Sequence, residues 1–135
     1  IVDDMKEALA TDKEKAIKFF KLTSSNIDNV DLKSVFIASR AKDELTTAVL
    51  SKAAKRLGIK IAYLVNLLNP QVVVIGGGLE EAGDDFLSRI CLTVKDWAFR
   101  EATDDLKIVY SQLRENAVAL GAASLLVQRC FAQLW

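Results

Sequence analysis

The clearest indication of the fold of this chain is the segment Val72-Val73-Val74-Ile75-Gly76-Gly77-Gly78-Leu79. Its first four residues are β-branched and leave both faces apolar, which is typical of an interior strand of a parallel sheet. Three consecutive glycines follow at once, and Asp84 can begin a helix shortly after them. A strand, a glycine turn and a helix in this order predict an α/β unit, whose ligands gather where the strands end.

Helical periodicity precedes this strand, and a second strand follows it. Between about residues 41 and 68 apolar residues recur every three or four positions, and Asn69-Pro70 ends the run because proline disfavours helical geometry in the residue before it. Gly58 interrupts the run, which predicts either a bend or a point of close helix packing. Residues 106–110 predict a second strand and residues 115–134 a last helix, so that a right-handed crossover joins two parallel strands.

The remaining segments predict helices with recognisable starts and inner faces. Thr11-Asp12-Lys13-Glu14 has the form of a capping box, and Asp31 can cap a further short helix. The helix that begins at Asp84 is expected to bury five apolar residues, namely Phe86, Leu87, Ile90, Val94 and Trp97. Two strands are few for an independent sheet, so its edges need strands from elsewhere, either a missing amino-terminal half or a partner chain.

The composition excludes several classes of protein. The 135 residues suit one domain, and 51% of them are hydrophobic, which is enough for a core. The 18 basic and 18 acidic residues balance, so a direct contact with nucleic acid is not expected. Without a long apolar run or a signal peptide, no membrane partner is expected, and the composition predicts a cytoplasmic protein.

Histidine is absent, which removes the commonest general base and the commonest zinc ligand. Cys91 and Cys130 form no CxxC pair, and buried, reduced thiols are expected; a disulfide or redox site is the alternative. Ser24, Ser25 and Ser111 have no histidine partner, so a serine-hydrolase triad is excluded within this chain.

The glycine turn is the motif that carries chemistry. Glycines permit positive φ and let the backbone approach a ligand, and free N–H groups at the next helix start favour phosphate. The pattern is neither a Walker loop nor the dinucleotide fingerprint, so a nucleotide contact and a simple strand-to-helix turn both stay open. The neighbouring pairs Glu80-Glu81 and Asp84-Asp85 are typical of a solvated, helix-capping cluster.

Four blocks of sequence resemble the ROK family (repressors, open reading frames, kinases). They are Leu57-Gly-Ile-Lys-Ile-Ala62, Leu64-Val-Asn-Leu-Leu-Asn-Pro-Gln71, Val72-Val-Val-Ile-Gly-Gly-Gly-Leu79 and Glu115-Asn-Ala-Val-Ala-Leu-Gly-Ala-Ala123. The resemblance covers about Val30 to Val127. It implies a helix-rich α/β fold, part of a ribonuclease-H-like lobe of the actin-like ATPases with a short parallel sheet, in which two such lobes close around ATP and a sugar.

The resemblance also implies roles for particular residues. Gly76, Gly77 and Gly78 would face the adenosine part of the nucleotide, with Leu79 and Ala82 nearby. Asn66, Asn69 and Pro70 would end and anchor the preceding helix, as turn chemistry also explains. Residues 1–135 would be a single domain, the carboxy-terminal part of a ROK-type protein, with a helical packing segment over 1–40 and a strand–glycine turn–helix nucleotide-binding core over 41–135.

The chain also departs from the family's kinases, which carry an Asp-x-Gly phosphate loop, a Gly-Asn-Asp segment with the catalytic base, a Gly-Thr-Gly turn and a His/Cys zinc cluster. None of these motifs occurs in this sequence. The resemblance therefore implies no catalytic residue and no metal ligand here: ATP with Mg²⁺ would serve the full-length protein, and sugar would bind only with its amino-terminal part. Three functions stay open, namely a sugar kinase of glucokinase type, a sugar-sensing repressor of NagC type, and a non-catalytic dimerisation module. A homo-oligomer is expected.

Overall fold

The computed structural model describes residues 1–113 and 116–132. Within them the helices and strands follow the predicted order, with α1 to α4 before the first strand, α5 and α6 between the strands and α7 after the second. Their bounds are α1 Val2–Thr11, α2 Lys13–Thr23, α3 Leu32–Arg40, α4 Glu44–Leu68, β1 Val72–Ile75, a 3-10 helix Leu79–Ala82, α5 Asp84–Trp97, α6 Arg100–Thr103, β2 Lys107–Tyr110 and α7 Ala117–Ala132.

The two strands pair in parallel, as predicted, with Val72 opposite Lys107 and Ile75 opposite Tyr110. One face of the pair packs on the helices through Val73, Ile75, Ile108 and Tyr110. On the other face the valines Val72, Val74 and Val109 are 51%, 61% and 42% exposed. Interior strands of parallel sheets are normally covered on both faces. Among the described residues, helices cover only one face of this sheet.

The core contains buried apolar residues of α1 to α5 and β1, and within it α4 and α5 pack against each other along much of their length. Gly58 marks the tightest approach, because a Cβ atom placed on it would lie 2.6 Å from the Cβ atom of Thr93 on α5. Since α4 runs unbroken from Glu44 to Leu68, close packing is the alternative that the structure confirms for Gly58.

The helix boundaries confirm two sequence predictions and correct a third. Asp31 caps α3 in a reciprocal box with Ser34, and Asn69 ends α4 in the left-handed conformation, directly before Pro70. The predicted cap at Thr11 is wrong: Thr11 is the last residue of α1, and Asp12 caps α2 by accepting a hydrogen bond from the Lys15 N–H at 3.1 Å. Asp12 has extended backbone geometry, the conformation that N-cap residues adopt, whereas Thr11 is still helical.

The structural role expected of Asn66 is confirmed by its hydrogen bonds. Its side-chain oxygen accepts from the Phe99 N–H at 2.8 Å, and its amide nitrogen donates to the Trp97 carbonyl at 3.5 Å. The Asn66 side chain therefore connects the last turns of α4 by hydrogen bonds to the end of α5 and the residues just after it.

Several side chains are more exposed than predicted. Trp97 is 49% exposed, because it is the last residue of α5 and the chain leaves the core there. Cys91 is half-buried and Cys130 is exposed, so the prediction of two buried thiols is wrong, although neither cysteine is in a disulfide. Residues 115, 133 and 134 of the predicted last helix lie outside the described residues.

The apolar side chains of α7 face solvent over the part of the chain that the structure describes. Six of them are between 47% and 84% exposed, namely Val118, Leu120, Leu125, Leu126, Val127 and Phe131. A helix that is apolar on all sides is normally buried. The sequence of α7 is therefore typical of a core helix, although its described side chains are exposed. Among the described helices none is both long enough and apolar enough to cross a membrane.

Candidate functional site

The backbone of the glycine turn is exposed on one side at the carboxyl end of β1. Gly77 and Gly78 have φ angles of 76° and 88°, which only glycine adopts without strain. Apart from each glycine and its two neighbours in the chain, no atom of the described residues lies within 4 Å of a Cβ placed on either glycine. The chain's own packing therefore leaves the backbone of this turn accessible at the edge of the sheet where ligands of α/β folds bind.

A cavity of about 600 Å³ lies beside the turn. Its volume falls within the range of small-molecule sites. Ala82, the last residue of the 3-10 helix, forms part of its wall. The other walls come from the α3–α4 connection, the first half of α4 and the first two turns of α5, so the cavity joins the glycine turn to residues some forty positions earlier in the sequence.

The wall formed by α4 is rigid at its start. Asp43 is 2% exposed, and its carboxylate accepts hydrogen bonds from the Thr46 N–H at 2.9 Å and the Thr46 hydroxyl at 2.8 Å. The Thr47 hydroxyl donates to the Asp43 carbonyl at 2.8 Å. This capped first turn places Thr47, Ala48 and Ser51 on the cavity side of α4.

The wall formed by α5 carries an aromatic ring and a cation. Phe86 is buried and lines the cavity, and the Arg89 guanidinium donates to the Ser51 hydroxyl at 3.0 Å across the two helices. Lys42 supplies a second cation from the α3–α4 connection, while Glu44 and Asp85 supply carboxylates. The cavity thus combines apolar surface with groups of both charges, as sites for polar organic ligands do.

Two contacts hold the turn from outside. The Tyr110 hydroxyl donates to the Gly83 carbonyl at 2.9 Å, and Arg40 forms an ion pair with Glu81 at 3.6 Å. Burial, together with the negative charge of Asp84, raises the pKa of Tyr110 to about 12. The phenol therefore keeps its proton and stays a donor at any ordinary pH.

Glu80 lies beneath the turn. Its Oε1 atom is buried and has no hydrogen-bond partner among the residues that the structure describes. The same atom would be 3.6 Å from a Cβ on Gly76, which also would lie 3.5 Å from the Ser111 Cβ atom. Gly76 therefore faces the inside of the turn, whereas Gly77 and Gly78 face outward.

The five residues expected at the site lie on two sides of the turn. Gly77 and Gly78 form its open side, and Ala82 lines the main cavity. Leu79 lines a smaller cavity of about 260 Å³ on the other side, beside Asp4 and Arg56. The structure thus brings Ala82 to the main cavity, whereas Leu79 and the three glycines are not among the residues that line it.

Sequence reasoning missed the residues that form the opposite wall of the main cavity. Lys42, Thr47, Ser51 and Arg89 belong to no local motif. The one signal in the sequence is that Thr47 and Ser51 are four residues apart, which places two hydroxyl side chains on the same face of α4. Over residues 1–113 and 116–132 no group of three or more acidic or sulfur ligands is arranged to hold a metal ion.

Comparison with known proteins identifies the family. The model of the ROK family matches residues 7–129. The chain belongs to the ROK family. The predicted resemblance is confirmed, and the match extends farther toward the amino terminus than the four motifs indicated.

The ROK relatives include both kinases and regulators. The chain is 30% identical to a glucokinase of Thermotoga maritima over 110 residues, which are 82% of this chain and 34% of that protein. It is 31% identical to the DNA-binding transcriptional dual regulator NagC of Escherichia coli over 99 residues, which are 73% of this chain and 24% of that protein. The chain thus spans between a quarter and about a third of the length of these relatives.

A solved structure gives the same assignment. The chain superimposes with a TM-score of 0.81 on a ROK family glucokinase from Streptomyces griseus, solved in complex with glucose and AMPPNP, at 25% identity. The match covers 92% of this chain and 40% of the glucokinase. The predicted fold class, a helix-rich α/β part of an actin-like ATPase fold with a short parallel sheet, is confirmed.

Proposed function

We propose that this chain forms the nucleoside-binding wall of a ROK-family sugar kinase, which transfers a phosphoryl group from ATP to a hexose or N-acetylhexosamine. The observation that carries the proposal is the cavity lined by α4, α5 and Ala82, together with the exposed backbone of Gly77 and Gly78 a few residues before Ala82, at the carboxyl end of β1. The similarity to a glucokinase solved with AMPPNP supports the choice of nucleotide.

The residues of the site fit an adenosine group. Gly77 and Gly78 offer outward-facing backbone without side chains in the way, which lets a flat ring system lie alongside it, while Gly76 faces the inside of the turn. Phe86 and Ala48 offer apolar surface, and the hydroxyls of Thr47 and Ser51 can exchange hydrogen bonds with a ribose or a base. These contacts would bind and orient the nucleotide, and they move no proton.

The phosphoryl transfer itself would depend on groups outside this chain. In a sugar kinase a carboxylate takes the proton of the sugar hydroxyl while Mg²⁺ and backbone donors stabilise the transferred group. The family motifs that supply these parts do not occur in the sequence of this chain. We therefore expect the chain to be inactive alone and to act within a longer cytoplasmic protein that binds the sugar with its other lobe.

Two measurements test this proposal. The full-length protein should hydrolyse or transfer phosphate from ATP in a sugar-dependent way on a panel of hexoses and N-acetylhexosamines. Calorimetry of this chain alone with ATP or ADP should show weak or undetectable binding, because half a pocket buries little of the ligand. A full-length protein without turnover on the whole panel, or without affinity for ATP, would contradict the kinase assignment.

A sugar-sensing repressor is the second candidate, and the similarity to NagC favours it. In that case the sugar would be an effector and the glycine turn a structural remnant. The coding sequence upstream discriminates the two functions: an Asp-x-Gly segment indicates a kinase, and a winged helix-turn-helix indicates a repressor. Gel-shift binding to the promoter of a sugar operon, relieved by a sugar, would then replace ATP turnover as the activity.

We also propose that the protein is a homo-oligomer. The support is the uncovered sheet face of Val72, Val74 and Val109 together with the exposed apolar residues of α7. Exposed apolar surface of this extent is typical of an interface, either with the rest of the same protein or with a second copy, and the non-catalytic dimerisation module would use it in the second way. Sedimentation of the full-length protein as a strict monomer would contradict the oligomer.

A further inference from the structure

We infer that Tyr110 is a positioning residue for the nucleotide site, because its hydroxyl fixes the far end of the glycine turn. This inference rests on the proposed function, since it concerns the order of the backbone against which the nucleotide would lie. Tyr110 does not line the main cavity, and it would act through Gly83 and the residues on either side of it.

Tyr110 connects the beginning and the end of the turn. It is the last residue of β2 and pairs with Ile75, the last residue of β1 before the glycines. The next amide, that of Ser111, donates to the Ile75 carbonyl at 2.7 Å. The Tyr110 hydroxyl then reaches the Gly83 carbonyl at 2.9 Å. One strand therefore holds both ends of the segment 76–83.

Apart from the 3-10 helix Leu79–Ala82, the turn has few constraints of its own. Gly77, Gly78 and Gly83 all have positive φ, and glycine loses more conformational freedom on folding than any other residue. The hydrogen bond from the Glu81 N–H to the Gly78 carbonyl is long, at 3.5 Å. A single short hydrogen bond from outside the turn therefore has a large share in selecting one conformation.

Gly83 also joins the turn to α5. Its carbonyl accepts from the Leu87 N–H at 3.4 Å, which is the first turn of α5, as well as from Tyr110. The cavity residues lie on both sides of this joint, with Ala82 immediately before it and Phe86 three residues after it. Fixing the Gly83 carbonyl thus fixes the position of Ala82 relative to Phe86 and the rest of the α5 wall.

Loss of this hydrogen bond should weaken nucleotide binding through preorganisation. A turn that samples several conformations must be ordered when the ligand binds, and the affinity falls by the fraction of molecules that are competent. We expect the dissociation constant for ATP to rise roughly three- to tenfold in Tyr110→Phe, the change that corresponds to one ordinary hydrogen bond. The affinity for sugar should stay unchanged.

The experiment uses the full-length protein with Tyr110→Phe, which keeps the ring and removes only the hydroxyl. Tyr63→Phe is the matched control, because Tyr63 is 61% exposed on α4. Calorimetry with ATP and with sugar is combined with hydrogen exchange of residues 76–83 in the absence of nucleotide. The inference predicts weaker ATP binding and faster exchange of the turn in Tyr110→Phe, and neither change in the control.

The outcomes separate the inference from the proposed function. Binding is compared far below the melting temperature of the variant. If wild type and Tyr110→Phe then bind ATP with equal affinity, Tyr110 is merely structural and the inference is overturned. If exchange of the turn is equally slow in both proteins, the inference is also overturned. If wild type binds no ATP, the proposed function fails and this inference fails with it. If the turn exchanges faster in Tyr110→Phe but the affinity for ATP is unchanged, only the inference is overturned.

Discussion

Gly58 on α4 lies directly against Thr93 on α5, so closely that a Cβ atom on Gly58 would be 2.6 Å from the Thr93 Cβ and 3.1 Å from the Ile90 carbonyl oxygen. Neither neighbour is the end of a flexible side chain. The absence of one side chain on α4 therefore sets the distance between α4 and α5, which both contribute to the core and form two walls of the main cavity.

We predict that Gly58→Ala destabilises the protein. Overpacking of a tight helix contact costs about 1–3 kcal/mol, and the better helix propensity of alanine offsets about 1 kcal/mol of that. A net loss of up to about 2 kcal/mol should appear in chemical denaturation. Gly121→Ala on α7 is the matched control, since no described atom lies within 4 Å of its Cβ position and the substitution should be neutral or stabilising. Equal stability changes in the two variants would contradict the close contact.

The hydrogen bond from the Phe99 N–H to Asn66 should depend on the side-chain oxygen alone. Asn66→Ala should cost about 1 kcal/mol and speed the hydrogen exchange of the Phe99 amide. Asn66→Asp keeps an acceptor at the same position and should preserve the protection of that amide. Protection that survives in Asn66→Ala would show that this anchor is dispensable.

The cap of α3 predicts a pH dependence. Hydrogen bonds from the Ser34 backbone N–H and then its hydroxyl lower the pKa of Asp31 below its ordinary value. A lowered folded-state pKa stabilises the protein fully above the ordinary aspartate pKa, and this contribution is lost as the pH falls through the lowered value. Asn caps helices as well as Asp but does not titrate, so wild type should lose stability relative to Asp31→Asn between about pH 5 and about pH 2. A constant difference in melting temperature over this range would be inconsistent with the cap geometry.

Filling the cavity should block the nucleotide without unfolding the chain. Ala48 is exposed on the cavity side of α4, so Ala48→Phe adds a ring to the proposed adenosine site. We expect the affinity of the full-length protein for ATP to fall about tenfold or more, a loss of roughly 1.4 kcal/mol. Ala10→Phe, at an exposed position of α1, is the control and should leave the affinity unchanged. Equal affinities would place the nucleotide elsewhere.

Local chemistry explains which parts of this fold were predictable from the sequence. The run Val72–Ile75, the cap at Asp31 and the helix end at Asn69-Pro70 each depend on neighbours within a few residues, and the structure confirms all three. The sequence predicts the cap one position early, at Thr11, because Thr11 and Asp12 are both good capping residues and only the backbone geometry distinguishes them.

Long-range packing explains what could not be predicted. Ser51 and Arg89 meet at 3.0 Å although 38 residues separate them, and no periodicity within α4 or α5 specifies that register. Trp97 fits the apolar period of α5 but lies where that helix ends, so it does not reach the core. The sequence predicts the glycine turn itself. It does not predict the 3-10 helix Leu79–Ala82, whose first and last residues line different cavities.

Hydrogen exchange of the full-length protein, with and without a non-hydrolysable ATP analogue, is the sharpest test of the proposed nucleotide site. If a purine nucleotide binds between the glycine turn and α4, saturation should slow exchange in residues 76–82 and 42–51 together, more than anywhere else in this chain. Unchanged exchange in both segments, with the analogue bound at saturation, would contradict the site.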